Sequence, residues 1–119
     1  GPLRAAHPGF AEQMRAWARA RSLWVRRAAA VSLTAFARKG KSLDLAYDIA
    51  LALHPDKEDL IHKGVGWLLR EAGKTDTRRL ERYLRQHGPA IPRTTLRYAI
   101  ERMTPAKRQE MLRVTKARK

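Results

Sequence analysis

The sequence has 119 residues, 44% of them hydrophobic, and its 26 Lys and Arg against 11 Asp and Glu give a formal charge of +15. That length fits one domain, the apolar fraction argues against a disordered chain, and so basic a folded unit has a polyanion as its natural counterpart. The absence of cysteine excludes disulfides, thiol nucleophiles and cysteine-ligated zinc, and the longest uncharged run, Ala28 to Ala37, is far short of the roughly 20 apolar residues of a membrane span.

Along the chain, the pattern is helical throughout. Residues 1–7 read as a flexible or tag-derived start, Gly1-Pro2 having the form of a cleavage scar, and no signal-peptide pattern follows. Phe10, Met14 and Trp17 fall on one face of a first helix, whose abrupt start points to a further part ahead of it. Ser22 has the form of an N-cap for a second helix running to about Lys39, stopped by Gly40. Ser42 would cap a third, which His54-Pro55 ends. Asp56 precedes a fourth, with Glu58 and Asp59 in its first turn favouring the helix dipole, and Gly73 closes it. Asp76 opens a fifth that Gly88-Pro89 ends, Pro92 fits the first turn of a sixth, and Thr104-Pro105 opens a seventh. Residues 115–119 form a basic tail, frayed from Lys116 onward. No segment alternates with the period of a strand.

The fold expected from this pattern is all-α: a single, partial domain of about seven helices, stacked as antiparallel pairs in a HEAT-like α-solenoid with roughly 35 to 40 residues per pair. The apolar stripes place Val25, Ala29, Leu33, Phe36, Leu45, Ile49, Ile61, Val65, Leu68, Leu80, Leu84, Leu96 and Ile100 in the core.

The fourth helix carries the most distinctive chemistry. Ile61, Val65, Leu68 and Ala72 define its buried stripe, and Trp67 lies roughly 130° away, between Lys63 and Arg70. A large aromatic flanked by cations suits a surface that meets a sugar or base while holding phosphates. Trp67 could equally pack on a neighbouring helix through Leu60 and Gly64 with Arg70 stacked on its ring; this helix alone leaves both readings open. On the second helix Arg27, Thr34 and Arg38 share a face bordered by Trp24 and Val31. On the fifth, Arg78, Arg82 and Arg85 line up opposite Leu80 and Leu84. One such face is usually just solvated, whereas three in one domain suggest a continuous basic surface.

Other signals fail. Gly40-Lys41-Ser42 has the ending of a phosphate-binding loop, but the upstream glycine is missing (Ala35) and no strand precedes it. His7, His54, His62 and His87 lack metal-ligand spacing and read as surface or capping residues. Asp44 and Asp48 share a helix side as solvated charges, and no Ser/His/Asp grouping can be made.

Two segments carry a resemblance. Trp17 and Trp24 are seven apart and followed by Arg27, and the string Ile61-His-Lys63-Gly-Val-Gly-Trp67-Leu-Leu-Arg70-Glu71 comes later. Ile91 to Thr95 and Ile100 to Arg102 add to them. The stretch from Trp17 to Met103 resembles the C-terminal half of the DNA alkylation repair family, the AlkD-like HEAT-repeat DNA glycosylases. The resemblance implies a curved helical stack holding duplex DNA on its concave face. It also implies cofactor-free excision of N3- or N7-alkylated purines without flipping the base into a pocket. By that likeness Trp67 would pack against the lesion's deoxyribose, Arg27 would lie near the backbone, and Lys63 and Arg70 would border the cleft.

One departure concerns catalysis. The family's catalytic Asp, in a Trp-Asp-x-x-x-Asp-like segment, falls farther ahead of the Arg27 position than this chain reaches: 26 residues precede Arg27 and their sole acid is Glu12. A carboxylate is what would stabilise an oxocarbenium-like sugar, so the chain alone is expected to be inactive. The expected partner is the duplex DNA backbone, bound without sequence preference through Trp67, Arg27, Lys63, Arg70, Arg38, Arg78, Arg82 and Arg85. No metal, cofactor or membrane is expected, and the protein should be cytoplasmic, associated with the nucleoid when DNA-bound. It should be monomeric or dependent on a missing N-terminal half. The rival readings are a non-catalytic binder of DNA structure and an RNA- or protein-binding helical scaffold.

Overall fold

A computed structural model of the chain describes residues 9–116. The expected flexible start over residues 1–7 and the last three residues of the frayed tail lie outside the described residues. Among those described, 75% are helical and none is in a strand, as the sequence predicts. The elements are α1 (Phe10–Ala18), α2 (Leu23–Arg38), α3 (Leu43–Leu53), α4 (Asp59–Ala72), α5 (Thr77–His87), a 3₁₀ turn (Gly88–Ala90), α6 (Arg93–Ala99) and α7 (Pro105–Val114).

Three of the expected caps close as their chemistry requires. The Ser22 hydroxyl accepts from the Val25 amide (3.4 Å), the Asp76 carboxylate from Arg79 (3.1 Å) and the Thr104 hydroxyl from Lys107 (3.2 Å). Gly40, at φ +76°, ends α2: its amide donates to the Ala37 carbonyl and that of Lys41 to Phe36. Two caps differ from expectation. Ser42 takes a left-handed φ of 56° and makes no side-chain cap. Glu58 lies one residue outside α4, and Asp56 is drawn elsewhere: its Oδ1 accepts from the Glu58 amide (3.0 Å) and its Oδ2 from Arg26 Nε (2.7 Å).

Connections of four or five residues fold each helix back on the last. The even-numbered helices form one layer, with α4 packed against α2 on one side and α6 on the other. In the second layer α1 meets α3, α3 meets α5 through the rings of Tyr47 and Tyr83, and α5 meets α7. The shortest dimension, 19 Å, is two helix diameters. This is a solenoid-like stack of helix pairs.

The core between the layers contains eleven of the thirteen expected residues, all buried. Val25 and Phe36 are only half-buried, with Phe36 edge-on to Phe10 at 5.4 Å between ring centroids. The buried face of α2 is instead Ala29, Ala30, Leu33, Thr34 and Ala37. Thr34 is therefore interior, not surface, and its hydroxyl donates to the Ala30 carbonyl at 3.1 Å. Thr115, expected in the tail, is also buried: its hydroxyl donates to the Met111 carbonyl (2.6 Å) and accepts from Arg93 (3.0 Å).

Candidate nucleic-acid interface

The outward side of the even-numbered layer centres on α4. Gly66 lets α6 approach closely, and Thr95 of α6 donates to the His62 carbonyl at 2.8 Å, fixing the register. On the other flank Gly64 lies against the Arg27 side chain: a Cβ there would stand 3.8 Å from Arg27 Cγ. Between these contacts opens a cleft of about 250 Å³ lined by Arg27, Leu60, Lys63, Gly64, Trp67, Arg70 and Tyr98. The structure thus brings Arg27, Lys63, Trp67 and Arg70 together around one half-buried indole.

None of the lining residues is an acid. Lys63 pairs with Asp59 at 3.3 Å and Arg70 with Glu101 at 3.1 Å, yet both carboxylates are more than 60% exposed. The Lys63–Asp59 pair, exposed at both ends, contributes about 0–1 kcal/mol, whereas the Arg70 side chain is only 19% exposed. Arg27 has no ion pair among the described residues. Arg70 does not stack on Trp67; among the described residues the cation–π contact is Arg79 over Tyr47, 4.9 Å from the ring centroid.

One turn beyond Trp67, Glu71 points toward α2 and is buried, at 2% exposure. Its Oε1 accepts from Arg38 Nε (2.9 Å) and lies 3.2 Å from Lys74 Nζ, while Oε2 stands 3.8 Å from Arg102 Nη1. Burial pushes the carboxyl pKa up, but the hydrogen bonds from Lys74 and Arg38 and the charges of Lys74 and Arg102 outweigh it and hold the group below its ordinary value. A second, smaller cleft adjoins, lined by Arg70, Gly73, Lys74, Thr77, Leu80, Ala99, Arg102 and Met103. Arg70 belongs to both clefts.

A family model for DNA alkylation repair enzymes matches residues 1–103. The chain belongs to this family. The match takes in both clefts and ends before α7. Comparisons with curated proteins and with solved structures give no match.

The remaining expected contacts of this DNA alkylation repair family member are placed elsewhere. Arg38 is bound to Glu71, beside the Trp67 cleft rather than in it. Arg78, Arg82 and Arg85 lie on α5, in the other layer and outside the clefts, and Arg85 is ion-paired with Glu110 of α7. Of the three basic helices, α2 and α4 are side by side, while α5 belongs to the second layer and reaches the smaller cleft through Thr77 and Leu80. Tyr98, which no sequence argument singled out, lines the cleft; two positions from both Leu96 and Ile100, it lies opposite the buried side of α6. Trp24, one turn from Arg27, is the most exposed large apolar residue at 65%.

Asp44 and Asp48 diverge to different arginines, Arg79 at 2.5 Å and Arg15 at 3.2 Å. His54 is not a surface residue. It occupies the C-cap position of α3, is buried, and shares a 2.7 Å hydrogen bond with the Tyr83 hydroxyl. Burial, with repulsion from His87 and His62, brings its pKa down to about 4, and burial raises Tyr47 to about 12. Among the described residues no group of three or more His, Asp or Glu could hold a metal ion, and no helix is long and apolar enough to cross a membrane.

Proposed function

We propose that this chain binds duplex DNA through the sugar-phosphate backbone, as the DNA-holding, HEAT-like part of an alkylpurine DNA glycosylase-like protein. The observation that carries the reading is the grouping of Arg27, Lys63, Trp67 and Arg70 around a cleft lined by no carboxylate. An indole face packs on deoxyribose whatever the base, while three cations at its rim meet phosphates, so recognition is independent of sequence. Family membership supports alkylated purine lesions as the biological target.

The chemistry of such excision requires a negative charge beside the anomeric carbon. The cleft-lining residues supply none, which favours a binding rather than catalytic role for this chain by itself. Titration of a fluorescent duplex into the protein at several salt concentrations tests the reading. Affinity should fall steeply and linearly on a logarithmic salt scale, and Arg27→Ala and Lys63→Ala should each reduce the slope by about one. Binding indifferent to salt, or unaffected by both substitutions, would overturn it.

A further inference from the structure

We infer that Glu71 is a positioning residue that fixes Arg38, Lys74 and Arg102 into a second phosphate site, next to the Trp67 cleft. The inference rests on the DNA-binding reading and extends it to residues outside that cleft. The carboxylate is inside the protein, but the cations around it reach solvent: the Arg102 side chain is 54% exposed, that of Arg38 48% and that of Lys74 30%. They come from three places in the fold, α2, the turn after α4 and the turn after α6. One buried anion thus ties together segments that nothing in their own sequence would align.

The charge balance points to a further anion. Three positive groups surround one negative group, leaving an excess of two. Arg38 spends only its Nε on Glu71, so both of its terminal nitrogens remain available, and Arg102 approaches no nearer than 3.8 Å. Had the carboxylate served only to satisfy one buried cation, a single arginine would suffice. Instead Lys74 and Arg102 line the cleft that also holds Arg70, with Arg38 held beside them on the same carboxylate. Arg70 also borders the Trp67 cleft, so a strand whose sugar rests on the indole has an adjoining phosphate within this group's reach. Guanidinium groups held in place lose less freedom when they bind a phosphate, and that is what a positioning anion supplies.

The test turns on a sign. Simple Coulomb reasoning has Glu71→Gln strengthen DNA binding, because it removes a negative charge beside the polyanion. Positioning has the same change weaken binding, by about 5- to 10-fold, with Glu71→Asp recovering part of the loss. The measurement is anisotropy of a labelled duplex with the full chain, across a salt series, after circular dichroism confirms the helical fold. Arg102→Gln should weaken binding by a similar factor and lower the salt slope by about one. Its effect should largely disappear in the Glu71→Gln background. Equal or tighter binding by folded Glu71→Gln overturns the inference. Should that variant fail to fold, Arg102→Gln and Lys74→Gln, whose side chains reach solvent, decide instead: unchanged affinity and slope in both overturns it. Wild-type protein that does not bind duplex at low salt overturns the DNA-binding reading as well, whereas wild-type binding that ignores these residues removes the second site alone.

Discussion

Gly66 of α4 passes so close to Tyr98 of α6 that a Cβ on it would stand 2.5 Å from the Tyr98 Cβ and 2.9 Å from the Thr95 carbonyl oxygen. Neither neighbour is the free end of a flexible chain, so α4 and α6 would have to separate. Gly64, two residues away, has only Arg27 Cγ at an ordinary 3.8 Å. The two glycines therefore respond oppositely to alanine. Gly66→Ala should destabilise by about 1–3 kcal/mol through overpacking, whereas Gly64→Ala should gain up to about 1 kcal/mol of helix propensity. Urea unfolding of both variants checks this; a Gly66→Ala protein as stable as wild type would contradict the close α4–α6 contact.

The same helix shows why some of the site was legible and some was not. Trp67, Lys63 and Arg70 could be grouped from α4 alone, because helical periodicity fixes which residues share a face. Arg27 joins them in the sequence through the count of basic faces and the family resemblance; the structural cause is the α2–α4 packing at Gly64, and periodicity within one helix cannot report contacts between helices. The placement of Arg78, Arg82 and Arg85 is beyond the same pattern, since a periodicity on α5 does not state which layer α5 occupies. Thr34 falls by spacing on the face of Arg27 and Arg38, but its hydroxyl satisfies itself on the Ala30 carbonyl and can be buried at little cost. Tyr98 carried a weak signal, an aromatic opposite the apolar side of a seven-residue helix.

Acid should destabilise the fold in two stages. His54 is buried with its pKa lowered to about 4, while the unfolded chain takes up that proton near the ordinary value of 6.5. Between those values the unfolded state binds more protons, so the contribution is complete above about pH 6.5 and is lost as pH falls toward 4. Its size is on the order of 3 kcal/mol. Asp56 and Glu71, both held below their usual values, lose their contributions only at lower pH still. Unfolding free energies from pH 7 down to about pH 4.5 should fall in wild type and much less in His54→Phe. A flat wild-type profile would contradict the burial of His54.

Trp67 and Lys63 should separate by kind of effect. Trp67→Ala removes a packing surface but no charge, so affinity for duplex should drop by about 1–3 kcal/mol with the salt slope unchanged. Lys63→Ala removes one phosphate contact and should flatten the slope by about one. The same anisotropy titrations give both quantities. A Trp67→Ala variant that binds as tightly as wild type would return the indole to the role of helix packing.

Base excision by this chain alone should not exceed the spontaneous rate. The sole acid ahead of Arg27 is Glu12, exposed on α1, which packs on α2 and α3 in the layer away from the cleft. Asp59 and Glu101, which pair with the cleft residues Lys63 and Arg70, are solvent-exposed, and Glu71 is buried against Arg38, Lys74 and Arg102. An exposed carboxylate already paired with a cation offers little field to a developing oxocarbenium ion, and the loss of one well-placed electrostatic group costs on the order of 10²–10³ in rate. Incubation with duplex containing 7-methylguanine, beside a protein-free control for spontaneous depurination, measures the released base directly. Release at the control rate is expected even where the duplex is fully bound. Release well above it would sink the prediction, and Asp59→Asn, Glu101→Gln and Glu12→Gln would then show which carboxylate supplies the charge.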